Sequence, residues 1–110
     1  MSQRDYYMFE LFVQMKPIIK RLYVLNCSAG NIKFFCNCLF NIVHGHIKMV
    51  ANVSRKKLKP LKKLIELLCS KKVGIRRKRQ TLSTKAGLKL LKLIQPSISS
   101  HLKKRHGIEQ

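Results

Sequence analysis

Apolar positions along this chain recur every three or four residues almost from end to end, and no stretch alternates as a half-buried strand would. The pattern predicts an all-α fold, a compact bundle of five or six short helices. Tyr6 to Gln14 is apolar but for Glu10 and reads as the first helix, with a short strand as the alternative. Pro17 suits the first turn of a second helix, running to about Leu25, because its missing N–H costs nothing there. Ile18, Ile19, Leu22 and Leu25 are its expected buried stripe, with Lys16, Lys20 and Arg21 turned outward. After the break at Asn26-Cys-Ser-Ala-Gly30, Ser28 or Asn31 can cap the next element. Ile32 to His44 is apolar on most sides, which marks the central buried helix, and Gly45 ends it. His46 to Val53 reads as a connector.

The second half keeps the helical period but changes its polar residues. Ser54 is the expected N-cap of a helix whose stripe is Leu58, Leu61, Leu64, Ile65 and Leu68. Pro60 interrupts that stripe: either the helix begins at Lys59 with Pro60 in its first turn, or it kinks there. Ser70 to Lys72 is a break. A short basic helix follows from Val73-Gly-Ile75 to near Leu82, with Ile75 and Leu82 on the same side. Ser83 to Gly87 is a turn or a new cap. Leu88 to Ile94 is an amphipathic helix with Lys85, Lys89 and Lys92 on one stripe, and Pro96 is expected to stop it. Ser97 to Arg105 adds a turn or two before a frayed tail at 106–110. The expected organisation is one helical domain over 1–105, with a mainly apolar half at 1–53. Basic helices follow at 54–82, and the amphipathic C-terminal helix at 83–105.

Charge changes this picture more than composition does. The hydrophobic fraction of 45% is ordinary, but 24 Lys and Arg against four acids leave a net charge of +20. Residues 55 to 79 hold twelve of the bases and one acid, Glu66. An ordinary solvated helix face intersperses acids for pairing and solubility, and a single Glu cannot do that. A cationic face on folded structure points to a polyanion. The expected phosphate contacts are Lys62, Lys63, Lys71, Lys72, Arg76, Arg77, Lys78 and Arg79, Arg by bidentate bonds and Lys as point charges. Tyr6, Tyr7, Phe9, Phe34, Phe35 and Phe40 lie far from these bases in sequence, and there is no Trp. Phosphate contact is therefore expected ahead of base stacking or sequence readout.

Other chemistries find less. Cys36-x-Cys38 with His44-x-His46 and Cys27 invites zinc, but two residues apart on a helix side chains diverge by about 200°, and the usual Cys-x₂₋₄-Cys spacing is missing. The cysteines read as core thiols, His44 as a residue compensating a helix C-terminus, and neither metal nor cofactor is expected. Four scattered acids form no carboxylate pair, and no phosphate-cradling loop is present, so no enzyme is expected. No secretory signal opens the chain, and no apolar stretch approaches the roughly 18 residues of a membrane span. An intracellular setting with reduced thiols follows, and Lys71-Lys72 with Arg76 to Arg79 reads as a nuclear import signal.

Three stretches together resemble a known family. They are Cys36-Asn-Cys38-Leu-Phe-Asn41-Ile-Val-His-Gly45, Leu58 through Leu68 with Lys62-Lys63, and Lys71-Lys72-Val73-Gly-Ile75-Arg-Arg-Lys-Arg79. In order and spacing they are similar to a small basic protein encoded by animal Maverick/Polinton elements, the virus-like DNA transposons also called adintoviruses. The match covers less than half of the chain and departs at Pro60 and at Lys85-Ala86-Gly87, where the family carries Gly-Gly. The resemblance implies a virus-like element with packaging and replication genes, and possible company in a particle; it supplies no mechanism.

Partners follow in order. Nucleic acid comes first, DNA ahead of RNA. An acidic surface on a virion or replication protein comes second. Third is a membrane surface met by Leu88 to Ile94 and His101 to Arg105 as a cationic amphipathic helix, against a terminal helix that packs its leucines inward.

Overall fold

Short joints and caps set the helix boundaries. The computed structural model describes residues 3–50 and 55–105. Helix α1 spans Gln3–Gln14, α2 Pro17–Asn26 and α3 Ala29–Val43. Lys16 is extended, as the residue before a proline prefers, and Pro17 opens α2. Ser28 caps α3, its hydroxyl accepting from the Asn31 N–H at 3.2 Å. At the other end Gly45 takes φ 78°, and the His46 and Gly45 N–H groups donate back to the Asn41 and Ile42 carbonyls at 2.8 and 3.2 Å. That pair of bonds is a Schellman closure and needs the left-handed glycine.

Beyond the connector the chain forms α4 at Arg55–Leu58, a 3₁₀ turn at Lys59–Leu61 and α5 at Lys62–Cys69. Pro60 thus kinks a helix already running, and the tighter turn absorbs the lost N–H. The expected Ser54 cap and the 106–110 tail lie outside the described residues. α6 spans Ile75–Leu82 and α7 Lys85–Arg105. Taking 55–69 as one bent element, the described residues form six helical segments, without strands, and the fold is an all-α bundle.

α7 corrects one expectation: Pro96 does not stop it, and the helix runs on to Arg105. Leu90, Leu91 and Ile94 before the proline and Ile98 and Leu102 after it are all buried. Their burial, worth roughly 1.5–3 kcal/mol each, outweighs a proline penalty of about 3 kcal/mol. Pro96 itself is exposed, as is Lys92, whose carbonyl loses its partner, so water can satisfy that group.

The core sits around α3, which packs against α5, α6 and α7, while α1 lies on α7. Phe9, Phe12 and Phe35 are fully buried, and the Phe12 and Phe35 rings meet at 4.9 Å in a tilted pair. A radius of gyration of 13.1 Å equals the roughly 13 Å expected of a compact chain this long.

α2 keeps Lys16 and Arg21 outward as expected but turns its expected buried stripe to solvent and Lys20 inward. Ile18, Leu22 and Leu25 are 69%, 51% and 40% exposed, whereas Val24 is fully buried and Tyr23 and Lys20 are half-buried. Lys20 Nζ donates to Gln95 Oε1 of α7 at 2.6 Å and lies 5.3 Å from the centre of the Phe12 ring. The Tyr23 hydroxyl accepts from Asn31 Nδ2 at 2.6 Å, and its ring packs on Phe12. These inward bonds fix the rotation of α2 and leave its apolar stripe facing solvent.

Candidate nucleic-acid interface

The eight expected phosphate contacts fall on α5, the following turn and α6, and α5 and α6 pack against each other. On α5 the inward positions are taken by Leu64, Ile65 and Leu68, which leaves Lys62 and Lys63 exposed. Ser70 ends α5 in extended backbone, and its hydroxyl accepts from the Lys72 N–H at 3.2 Å, which shapes the turn that exposes Lys71 and Lys72. Gly74 opens α6, and Arg76 and Arg77 in its first turn are exposed. These six cations are solvated, with Glu66 as the single acid between 55 and 79.

Lys78 and Arg79 are different. Ile75, Arg79 and Leu82 stand at helical spacing of four and three and share the inward side of α6. Arg79 Nη1 donates to the Val24 carbonyl at 2.9 Å and lies 3.9 Å from Cys27 Sγ. The guanidinium thereby satisfies a carbonyl at the C-terminal end of α2, where a cation is also favoured by the helix dipole. Arg79 is a joint between α2 and α6. That role differs from the phosphate contact expected of Arg79, although its position one turn from both Ile75 and Leu82 signals it. Lys78 is half-buried beside Cys36 and Cys69.

Two clefts flank Phe40. One, of about 210 Å³, is lined by Cys36, Asn37, Phe40, Lys71 and Lys78 among others. The other, of about 430 Å³, is lined by Asp5, Lys33, Asn37, Phe40 and Asn41 among others. Burial pushes the Cys36 thiol up to about 11 against the opposing pull of Lys78, and the Cys38 thiol up to about 12. Both are buried, protonated thiols on an unbroken α3, unsuited to metal or nucleophilic work. Among the described residues no three His, Cys, Asp or Glu converge on a site for a metal ion. His44 closes α3, with Nδ1 3.2 Å from the Phe40 carbonyl and its ring stacked on Phe40 at 4.0 Å.

The apolar residues of α7 face the core, so the C-terminal helix presents Lys85, Lys89 and Lys92 outward rather than leucines. Among the described residues no helix is long and apolar enough to cross a membrane. Compared with protein-family models, with curated proteins and with solved structures, the chain matches none.

Proposed function

We propose that the protein is a non-enzymatic nucleic-acid-binding protein, DNA ahead of RNA, that grips phosphates without reading sequence. The observation that carries this reading is the set of six exposed cations, Lys62, Lys63, Lys71, Lys72, Arg76 and Arg77, on adjoining elements with one acid among them. Each phosphate neutralised releases condensed counterions, which drives binding to any sequence. Arg76 and Arg77 sit in the first turn of α6, where the helix dipole disfavours cations unless an anion joins them. A polyanion at that end would offset this unfavourable interaction. Of the expected import signal, the exposed Lys71, Lys72, Arg76 and Arg77 are the accessible part that supports nuclear import, and the resemblance suggests a virus-like mobile element, with the activity an accessory to its packaging or replication.

The quadruple variant Lys62→Ala, Lys63→Ala, Arg76→Ala, Arg77→Ala tests the reading while sparing the Arg79 joint. Its affinity for unrelated DNA sequences should fall alike, by at least tenfold in an anisotropy titration at low salt. Unchanged affinity would overturn the assignment. An acidic protein partner that excess DNA fails to displace would favour a protein surface as the ligand.

A further inference from the structure

α3 buries its inward face, and a stripe that reaches solvent runs through Lys33, Asn37 and Phe40 to its C-cap His44, spaced by four, three and four residues, with Val43 exposed beside it. Phe34 and Phe35 on the same helix are buried, whereas Phe40 is 36% exposed. Phe40 leaves about a third of its surface open, beside the exposed Asn37 and His44. Its place in the bundle supplies a reason. The ring lines both clefts, and the narrower one brings Lys71 from the turn and Lys78 from α6 to its side. The sequence separates Phe40 from those lysines by 31 and 38 residues; the fold joins them.

We propose that Phe40 is a stacking platform for an unpaired nucleobase, with the flanking phosphates held by Lys71 and Lys78. The inference rests on the nucleic-acid reading above and adds to it a contact that only unpaired strands can make, because the bases of a duplex already stack on each other. The His44 ring stacks on Phe40 at 18° between planes, so a base laid on the exposed part of the pair would extend an existing stack. The exposed Asn37 amide stands one turn away and can meet a base edge with donor and acceptor. Asp5 lines the wider cleft, so the phosphates run along the narrower one. The floor of that cleft offers no competing anion, since Cys36 stays protonated at neutral pH.

The test is anisotropy with a labelled oligo-dT strand and a duplex of equal length. Phe40→Leu, which keeps an apolar side chain and removes the ring, should weaken strand binding about 5- to 150-fold. Duplex affinity should stay unchanged. Phe40→Trp gives a chain without tryptophan its first one, and should retain strand affinity with indole emission quenched on binding. Equal strand affinity in Phe40→Leu, or equal loss on strand and duplex, overturns the inference. If Arg76→Ala, Arg77→Ala weakens both ligands while Phe40→Leu weakens neither, the phosphate reading survives alone. If the native protein binds neither ligand, both fall.

Discussion

Single residues hold the joints of this bundle together. Gly87 is buried in the first turn of α7, where Thr84 Oγ1 accepts its N–H at 3.0 Å. A Cβ there would run into the Thr81 carbonyl oxygen and meet the Leu82 carbonyl at 2.6 Å, both of them backbone. Alanine is the better helix former by about 1 kcal/mol, yet overpacking against rigid backbone costs about 1–3 kcal/mol. Gly87→Ala should therefore lower the urea midpoint; a rise would show that the α6–α7 joint yields easily. The buried thiols predict a pH effect. In the unfolded chain a thiol ionises near pH 8.5–9, while Cys36 and Cys38 hold their protons to about 11 and 12 in the fold. Their contribution is fully present below the unfolded value and is lost as pH rises through the folded ones. Stability should drop by on the order of 5 kcal/mol between pH 8 and 11. Lys20 acts oppositely: burial and Lys92 lower its pKa, so its neutralisation restores some stability over that range, a smaller effect at a half-exposed site. Denaturant curves at both pH values check the sign, and Cys38→Ala should flatten the fall.

At the scale of elements, periodicity and breakers carried the reading a long way, and the misses have definite causes. The Ser28 cap, the Gly45 stop and the breaks near residues 15, 27 and 70 are local chemistry and were legible. Spacing says which residues share a helix face but not which face turns inward. α2 has two candidate faces, and partners on other elements, Phe12, Asn31, Arg79 and Gln95, choose the one bearing Lys20, Tyr23 and Val24. Pro96 misleads in the same way, because local propensity cannot weigh the three buried apolar residues before it and the two after it. The candidate site shows the same division. Its lysines and arginines were legible as a charge run, while the neighbourhood of Phe40, Lys71 and Lys78 arises only when α3 meets α5 and α6. The orientation of α2 is open to test. Ile18→Ser and Leu22→Ser should each change stability by less than about 0.5 kcal/mol, whereas Ile94→Ala should cost about 2–5 kcal/mol. Comparable losses in all three would mean that α2 is rotated the other way.

For the whole molecule, the governing fact is a net charge of +20 on a globule with extents of 36 × 30 × 26 Å. Self-repulsion at that density opposes compaction, and the hydrophobic core and inward bonds must hold against it. On the proposed function, the same field would draw polyanions from a distance, and their capture would depend on salt. Other exposed bases, Lys33 on α3 and Lys85, Lys89 and Lys92 on α7, extend the field beyond α5 and α6. The most direct test is a titration of DNA binding against sodium chloride from low to physiological concentration. With six to eight phosphates engaged, the logarithm of the binding constant should fall linearly against the logarithm of salt with a slope of about −5 to −7. A slope near zero, or no binding at physiological salt, would contradict the account.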